Sequence, residues 1–241
     1  MNDLTVFCVY WGDKYDKGYV YALRDAVEVN LSVPHRFVCI TTDYFKGIET
    51  RKPYAPYSGW WSKLNLFAPR MATGPSLYFD LDVVITGNLD YLVEYTEPKE
   101  YINHRYNITE VAYLAAPANW AQSGHGGIQS SVMAWGGNWT HPFDQFKSQW
   151  PDIRERLWGD QEYLWELLGD NWTRLPHVGS YKYHVSPAQA IPDDMAVCVF
   201  HGKPDPHEVT DPCILSYTSA LRSYISTSTA NGLQKASSAT A

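Results

Sequence analysis

The stretch SLYFDLDVVIT (76–86) decides how the chain is read: an apolar run carrying two carboxylates, Asp80 and Asp82, at alternate positions. Hydrophobic residues on both sides of the acids predict a buried strand. Alternate residues of a strand share a face, so the two carboxylates are expected to point the same way. Like charges that close are costly, and a divalent cation between them is the simplest relief.

Upstream, LTVFCVY (4–10) predicts a first strand, and Asp16 can cap a helix whose apolar residues Tyr19, Val20, Leu23, Ala26 and Val27 recur at helical spacing. HRFVCITTD (35–43) follows as a second strand, so the chain opens as strand, helix, strand, with the parallel pairing that this order requires. Between Tyr54 and Gly59 a Pro- and Gly-containing loop leads into GWWSKLNLF (59–67), where Trp61, Leu64 and Phe67 mark one helical face and Lys63 interrupts it.

Downstream, short strands are expected at 111–116 and 128–135, the second bracketed by Gly126, Gly127, Gly136 and Gly137. Residues 141–169 read as two short helices broken by Pro151 and Gly159, with Asp160 as the N-cap of QEYLWELL. A last strand, MAVCVF (195–200), delivers His201. Residues 1–222 are expected to form a single catalytic domain. From Ser223 to residue 241 the Ser/Thr/Ala-rich tail holds little apolar content and is expected to be disordered.

At 241 residues, 45% hydrophobic and 19% charged, the chain can bury a sizeable core. With 19 Lys plus Arg against 26 Asp plus Glu the net charge is −7, which disfavours a nucleic-acid partner. The N-terminus carries no basic region ahead of its short apolar run, so a cytoplasmic protein without a transmembrane segment is expected. Cys8, Cys39 and Cys198 lie in apolar runs with no metal-like spacing and read as reduced core thiols. Aromatic residues reach 15%, including 10 Trp and 18 Tyr, many beside Gly, Pro or Asn, where rings can stack on bases or sugar faces.

His201 opens VFHGKPDPH: an imidazole, a glycine that allows close backbone approach, then Lys203. An imidazole with two carboxylates suits Mn2+ or another transition-row ion better than Ca2+. Gly202 and Lys203 suit phosphate oxygens.

Taken in order, YWGDKY, WSKL, FDLDVV, GGIQSSVMAW, GDQEYL and FHGKP resemble the motifs of GT-A fold nucleotide-sugar glycosyltransferases, in particular family 8, the glycogenin and lipopolysaccharide galactosyltransferase group. The resemblance spans roughly residues 4 to 207 and implies an α/β fold, a Rossmann-like, mixed but mostly parallel sheet flanked by helices. It implies Asp80, Asp82 and His201 as ligands of Mn2+ or Mg2+, and Lys63 as a lysine that neutralises donor phosphates. Asp160 and Gln161 match a pair near the donor sugar and reacting carbon, and Gln129 and Ser130 fall where the family contacts that sugar. Tyr10, Trp11 or Tyr15 would then sandwich the base and Asp43 would accept from base or ribose, near the carboxyl ends of the strands.

The implied activity is transfer of a sugar from a nucleoside diphosphate sugar, with UDP as the expected nucleotide, to a carbohydrate or glycoconjugate acceptor, with retention. Acceptor contacts are expected between Tyr91 and Gly127. Three other readings remain open from sequence: a haloacid-dehalogenase-like phosphatase with Asp80 as nucleophile, a metal-dependent nucleotidyltransferase, and a sugar-binding module resting on the aromatic content alone.

Overall fold

The computed structural model describes residues 3–97, 99–103, 108–120 and 127–238. The chain runs β1 (Leu4–Val9), α1 (Gly18–Asn30), β2 (His35–Ile40), β3 (Glu49–Arg51), a 3-10 segment (Gly59–Phe67), β4 (Ser76–Phe79) and β5 (Val83–Ile85). It continues through β6 (Lys99–Asn103), β7 (Ile108–Ala112), β8 (Leu114–Ala116), β9 (Val132–Trp135), α2 (His141–Arg156) and α3 (Asp160–Leu168). Then come β10 (Thr173–Arg174), β11 (Val178–Ser180), α4 (Ser186–Ala188), β12 (Val197–Val199) and α5 (Pro212–Ser238). Gly126 and parts of the 91–127 stretch expected to meet an acceptor lie outside the described residues.

A seven-stranded sheet has the order β10-β8-β9-β4-β1-β2-β3. β1 pairs in parallel with β2 and β4, β2 with β3, and β8 with β10, whereas β9 runs antiparallel to β4 and β8. The sheet is thus mixed but mostly parallel, and the opening strand, helix, strand unit forms as its spacing predicts. Alternation sorts the side chains: Val6, Cys8, Leu77 and Phe79 pack with Val20, Leu23 and Val27 of α1, while Phe7, Tyr78, Met133 and Trp135 pack with Leu64, Phe67, Phe143 and Phe146 on the other face. All four cysteines are free, and Cys8, Cys39 and Cys198 are buried.

The expected single strand over 76–86 is two strands in two sheets. β4 belongs to the large sheet and β5 to a three-stranded one of order β11-β12-β5. Asp80-Leu81-Asp82 is the crossing between them: the Asp80 N–H donates to Ser131 O at 2.8 Å just before β9, and Asp82 O accepts from Phe200 N at 3.0 Å just after β12. Periodicity could not reveal this, because both strands are apolar and buried throughout.

Three other expectations change. The Trp61, Leu64, Phe67 segment is a 3-10 helix, with Lys63 buried. The break expected at Pro151 falls two residues earlier: Gln149, with φ −118° and ψ 15°, is non-helical and divides α2 into two helical pieces, Pro151 lying at the start of the second. Gly159, not Asp160, occupies the cap position of α3.

The tail expectation is corrected at its start. Backbone from Ser223 to Ser238 continues α5, and Tyr224 and Ile225 use that helix to reach the core. The Tyr224 hydroxyl donates to Asp25 Oδ2 at 2.5 Å, its ring stacks on Tyr21, and Ile225 packs against the α1 side of the sheet. Gly18 makes the contact possible, since a Cβ there would lie 2.8 Å from Tyr224 Cβ and 3.1 Å from the backbone nitrogen of Ile225. Replacing Tyr224 and Ile225 together by Ala is expected to lower the unfolding free energy by about 2 kcal/mol, measured by urea titration.

Candidate active site

The corner at Asp80 and Asp82 opens into a cleft of two adjoining compartments of about 320 and 310 Å³. Asp80, Asp82, Lys63, Lys14 and Trp60 line both. The first also has Val9, Trp11 and Tyr15 in its wall. The second adds Gln129, Ser130, Asp160, Gln161, His201 and Gly202. The strand alternation invoked for the two carboxylates does not apply at a turn, yet both side chains reach one cleft because the chain changes sheets there.

Lys63 is the hub. Its ammonium donates to Asp80 Oδ2 at 3.1 Å and Ser130 Oγ at 3.2 Å, and lies 3.4 Å from Asp160 Oδ2, an atom that accepts no hydrogen bond. Burial by itself lowers the Lys63 pKa, but the charges of Asp160 and then Asp80 outweigh it, so the ammonium is held above its ordinary value. Tyr78 also donates to Asp80, on Oδ1. Asp160, at the start of α3, is raised by burial, against which the Lys63 charge works.

Asp82 has less relief. It accepts a hydrogen bond from the Tyr15 hydroxyl at 2.7 Å, but burial and the neighbouring Asp80 charge push its pKa up to about 7. Three carboxylates thus surround one buried ammonium.

His201 lines the sugar-sized second compartment, two residues beyond β12. Burial and then Lys182 hold its pKa below the ordinary value, leaving the neutral ring that metal ligation requires. Its Nε2 lies 2.7 Å from Ser180 Oγ, and its ring stacks on Tyr183 at 5.5 Å. Gly202 beside it takes a φ of +70°, a left-handed backbone that glycine adopts without strain.

Two carboxylates and a neutral imidazole fit a divalent ion in donor chemistry, and a buried surplus of negative charge favours one. The three are not drawn together in this structure, however. Among the described residues no three such side chains are gathered so as to hold a metal: Asp80 turns to Lys63 and Tyr78, Asp82 to Tyr15, and His201 to Ser180.

Four further expected residues stand apart or are otherwise engaged. Lys203 lines neither compartment, and its ammonium is held by Asp205 at 2.7 Å and Glu208 at 3.0 Å, so its expected phosphate role is corrected. Tyr10 and Asp43 line a smaller hollow of about 70 Å³ that shares Val9, Trp11 and Ser62 with the wall of the first compartment, and Asp43 is paired with Lys17 at 2.8 Å. Gln129 folds back on Ser131, donating to its Oγ and accepting from its N–H.

Sequence reasoning missed Lys14, Trp60 and Trp158 as cleft residues. Lys14 sits inside YWGDKY with its ammonium 4.4 Å from the centre of the Tyr15 ring. Trp60 and Trp158 are 60% and 74% exposed at the cleft wall, and exposed tryptophans beside glycine were the available signal.

No protein-family model matches the chain, and no curated protein sequence does. Solved structures do. LgtC, a galactosyltransferase solved in complex with donor and acceptor sugar analogs, is 15% identical, with 91% of this chain and 95% of that one covered and a TM-score of 0.62. An active-site Gln-to-Glu mutant of LgtC matches to the same extent at 14% identity. The glycosyltransferase GlyE of Streptococcus pneumoniae TIGR4, in its apo form, is 17% identical over 94% of this chain and 63% of its own, with a TM-score of 0.60. At these identities the likeness establishes the fold: the chain has the GT-A architecture of glycosyltransferases.

Removing charge at this site is expected to act with opposite signs on stability. Lys63→Ala strands Asp80 and Asp160 and is expected to cost about 3 kcal/mol or more. Asp82 behaves oppositely. Its carboxyl titrates near the ordinary ~4 when unfolded and about 7 when folded. Between these values the unfolded chain releases a proton that the folded chain keeps, so stability falls as pH rises through the window and stays reduced above it. With chelator present, Asp82→Asn is expected to match the parent near pH 4 and exceed it by at least ~1 kcal/mol at pH 7.5 in urea titrations.

Proposed function

We propose that the protein is a glycosyltransferase that takes a sugar from a nucleoside diphosphate sugar, with UDP as the nucleotide, and passes it to a carbohydrate acceptor with retention of configuration. The observation that carries this reading is the two-part cleft with its charged groups shared at the junction. An aromatic-walled compartment on one side, amide and hydroxyl groups on the other, and cations with carboxylates between them suit a base, a sugar ring and a linking diphosphate.

Trp11 and Tyr15 offer ring faces to the base. Lys14 and Lys63 bring positive charge to the shared wall, where the diphosphate would lie. Asp80, Asp82 and His201 would hold a divalent cation, Mn2+ or Mg2+. When bound, that ion supplies positive charge against the negative charge building on the departing diphosphate.

Gln161 and Asp160 border the sugar compartment at the start of α3. Asp160 is engaged with Lys63, and Gln161 is proposed to orient the sugar, as suits the glutamine of the LgtC active site. The cleft carboxylates Asp80, Asp82 and Asp160 are each paired or hydrogen-bonded, which favours a front-face displacement over a covalent intermediate. In that step the acceptor oxygen bonds the anomeric carbon as the carbon–oxygen bond to diphosphate breaks. The acceptor proton passes to the departing diphosphate oxygen.

A panel of sugar nucleotides with Mn2+ tests the reading. Expected are slow donor hydrolysis without acceptor, loss of that activity on chelation, and a rate lower by roughly a hundredfold in folded Asp82→Asn, the size of a lost contact worth ~3 kcal/mol in the transition state. Turnover that survives chelation would remove the metal from the mechanism. Phosphate release from simple monoesters with no action on sugar nucleotides would replace the transferase by a phosphatase.

A further inference from the structure

We propose that the hollow at the far ends of β9 and α3 is a second binding site, for a neutral carbohydrate, separate from the cleft. Residues just before β9 and at the start of α3 border the cleft, whereas those just after β9 and at the end of α3 line a hollow of about 620 Å³. Nine residues of α3 separate the two by roughly 13 Å at 1.5 Å per residue. The proposal does not rest on the transfer reaction.

Tyr113 is the platform. It is 41% exposed, and its ring lies parallel to Trp139, with centroids 5.8 Å apart and 12° between planes. Trp139 meets Phe67 edge to face at 5.3 Å, and Phe67 packs on Trp135, a fully buried ring, also at 5.3 Å. This row of four rings runs from the core to the surface and fixes the orientation of Tyr113 before any ligand arrives. A preordered ring face loses little entropy on binding, which distinguishes it from an isolated surface tyrosine.

The remainder of the wall selects the ligand. Among the described residues its polar members are Asn138, Thr140, His141 and Asn171, and none that lines it is Lys, Arg, Asp or Glu. Thr140 makes no side-chain capping bond at the start of α2, so its hydroxyl is not used there. Asn171, just past the end of α3, adds an amide side chain to the wall. Without a fixed cation the hollow offers nothing to hold a phosphate or carboxylate, and its amide-rich rim does not suit a purely apolar ligand. A sugar ring has the complementary surface: an apolar C–H face for Tyr113 and hydroxyls for the amides.

Maltoheptaose, cellohexaose and chitohexaose serve as probes, with binding to the parent, Tyr113→Ala, Asn138→Ala and Asp82→Asn followed by saturation-transfer NMR and calorimetry. Expected is that at least one probe binds the parent and Asp82→Asn equally. Tyr113→Ala, with an unchanged melting temperature, should bind it about tenfold more weakly, the size of one lost ring contact, and Asn138→Ala should also bind more weakly. Absence of binding to the parent overturns the proposal. So does binding that Tyr113→Ala leaves at parental strength, because the glycan then sits elsewhere.

Discussion

Two buried carboxylates, Asp82 and Asp160, and a partly buried one, Asp80, crowd around one buried ammonium, and much of the cleft follows from that imbalance. Lys63 reaches Asp80 and Asp160 from a 3-10 segment. It ties the end of β4 to the start of α3, two elements 80 residues apart at Asp80 and Asp160. Asp82 is left with a tyrosine hydroxyl, and burial pushes its pKa up to about 7. A buried charge cluster of this kind contributes little net stability compared with an apolar core.

The backbone supplies the second constraint. One continuous apolar run feeds two sheets, and the change of sheet falls on Asp80-Leu81-Asp82. Leu81 is buried and anchors the turn, while the flanking amide and carbonyl pair outward to the residues just before β9 and just after β12. The same two hydrogen bonds bring Ser130 and His201 to the cleft, because each lies one residue from the bonded partner. The acids are thus positioned by main-chain pairing, and their own side-chain contacts then set their charge state.

Aromatic side chains play different parts at the two ends of the sheet. Around the cleft, Trp11, Trp60 and Trp158 stand exposed at its walls. At the far end of β9, the rings from Trp135 to Tyr113 stack outward from the core. Between the two, Tyr57 and Trp61 pack edge to face or stacked on Phe146 and Trp150 of α2. The high aromatic content therefore serves packing in the middle of the molecule and ring presentation at its margins.

The opening strand, helix, strand unit and the dense apolar runs determined the α/β class and the parallel centre of the sheet, because those signals are local and repeat at periods of two and 3.6 residues. The motif order around Asp80, Asp82, Asp160, Gln161 and His201 likewise pointed to one cleft, and these side chains do line it. Local signals could not separate β4 from β5, since two buried strands in series look like one long one. Nor could they reveal that Lys203 is held by Asp205 and Glu208, or that the chain beyond Ser223 continues as a helix that packs Tyr224 and Ile225 against α1. The pairing of Lys63 with Asp80 and Asp160, and the partners that keep Asp80, Asp82 and His201 from gathering around one point, exist only where distant segments meet. Tertiary structure decided them, because charge pairing and burial depend on distance in space, which residue order along the chain does not specify.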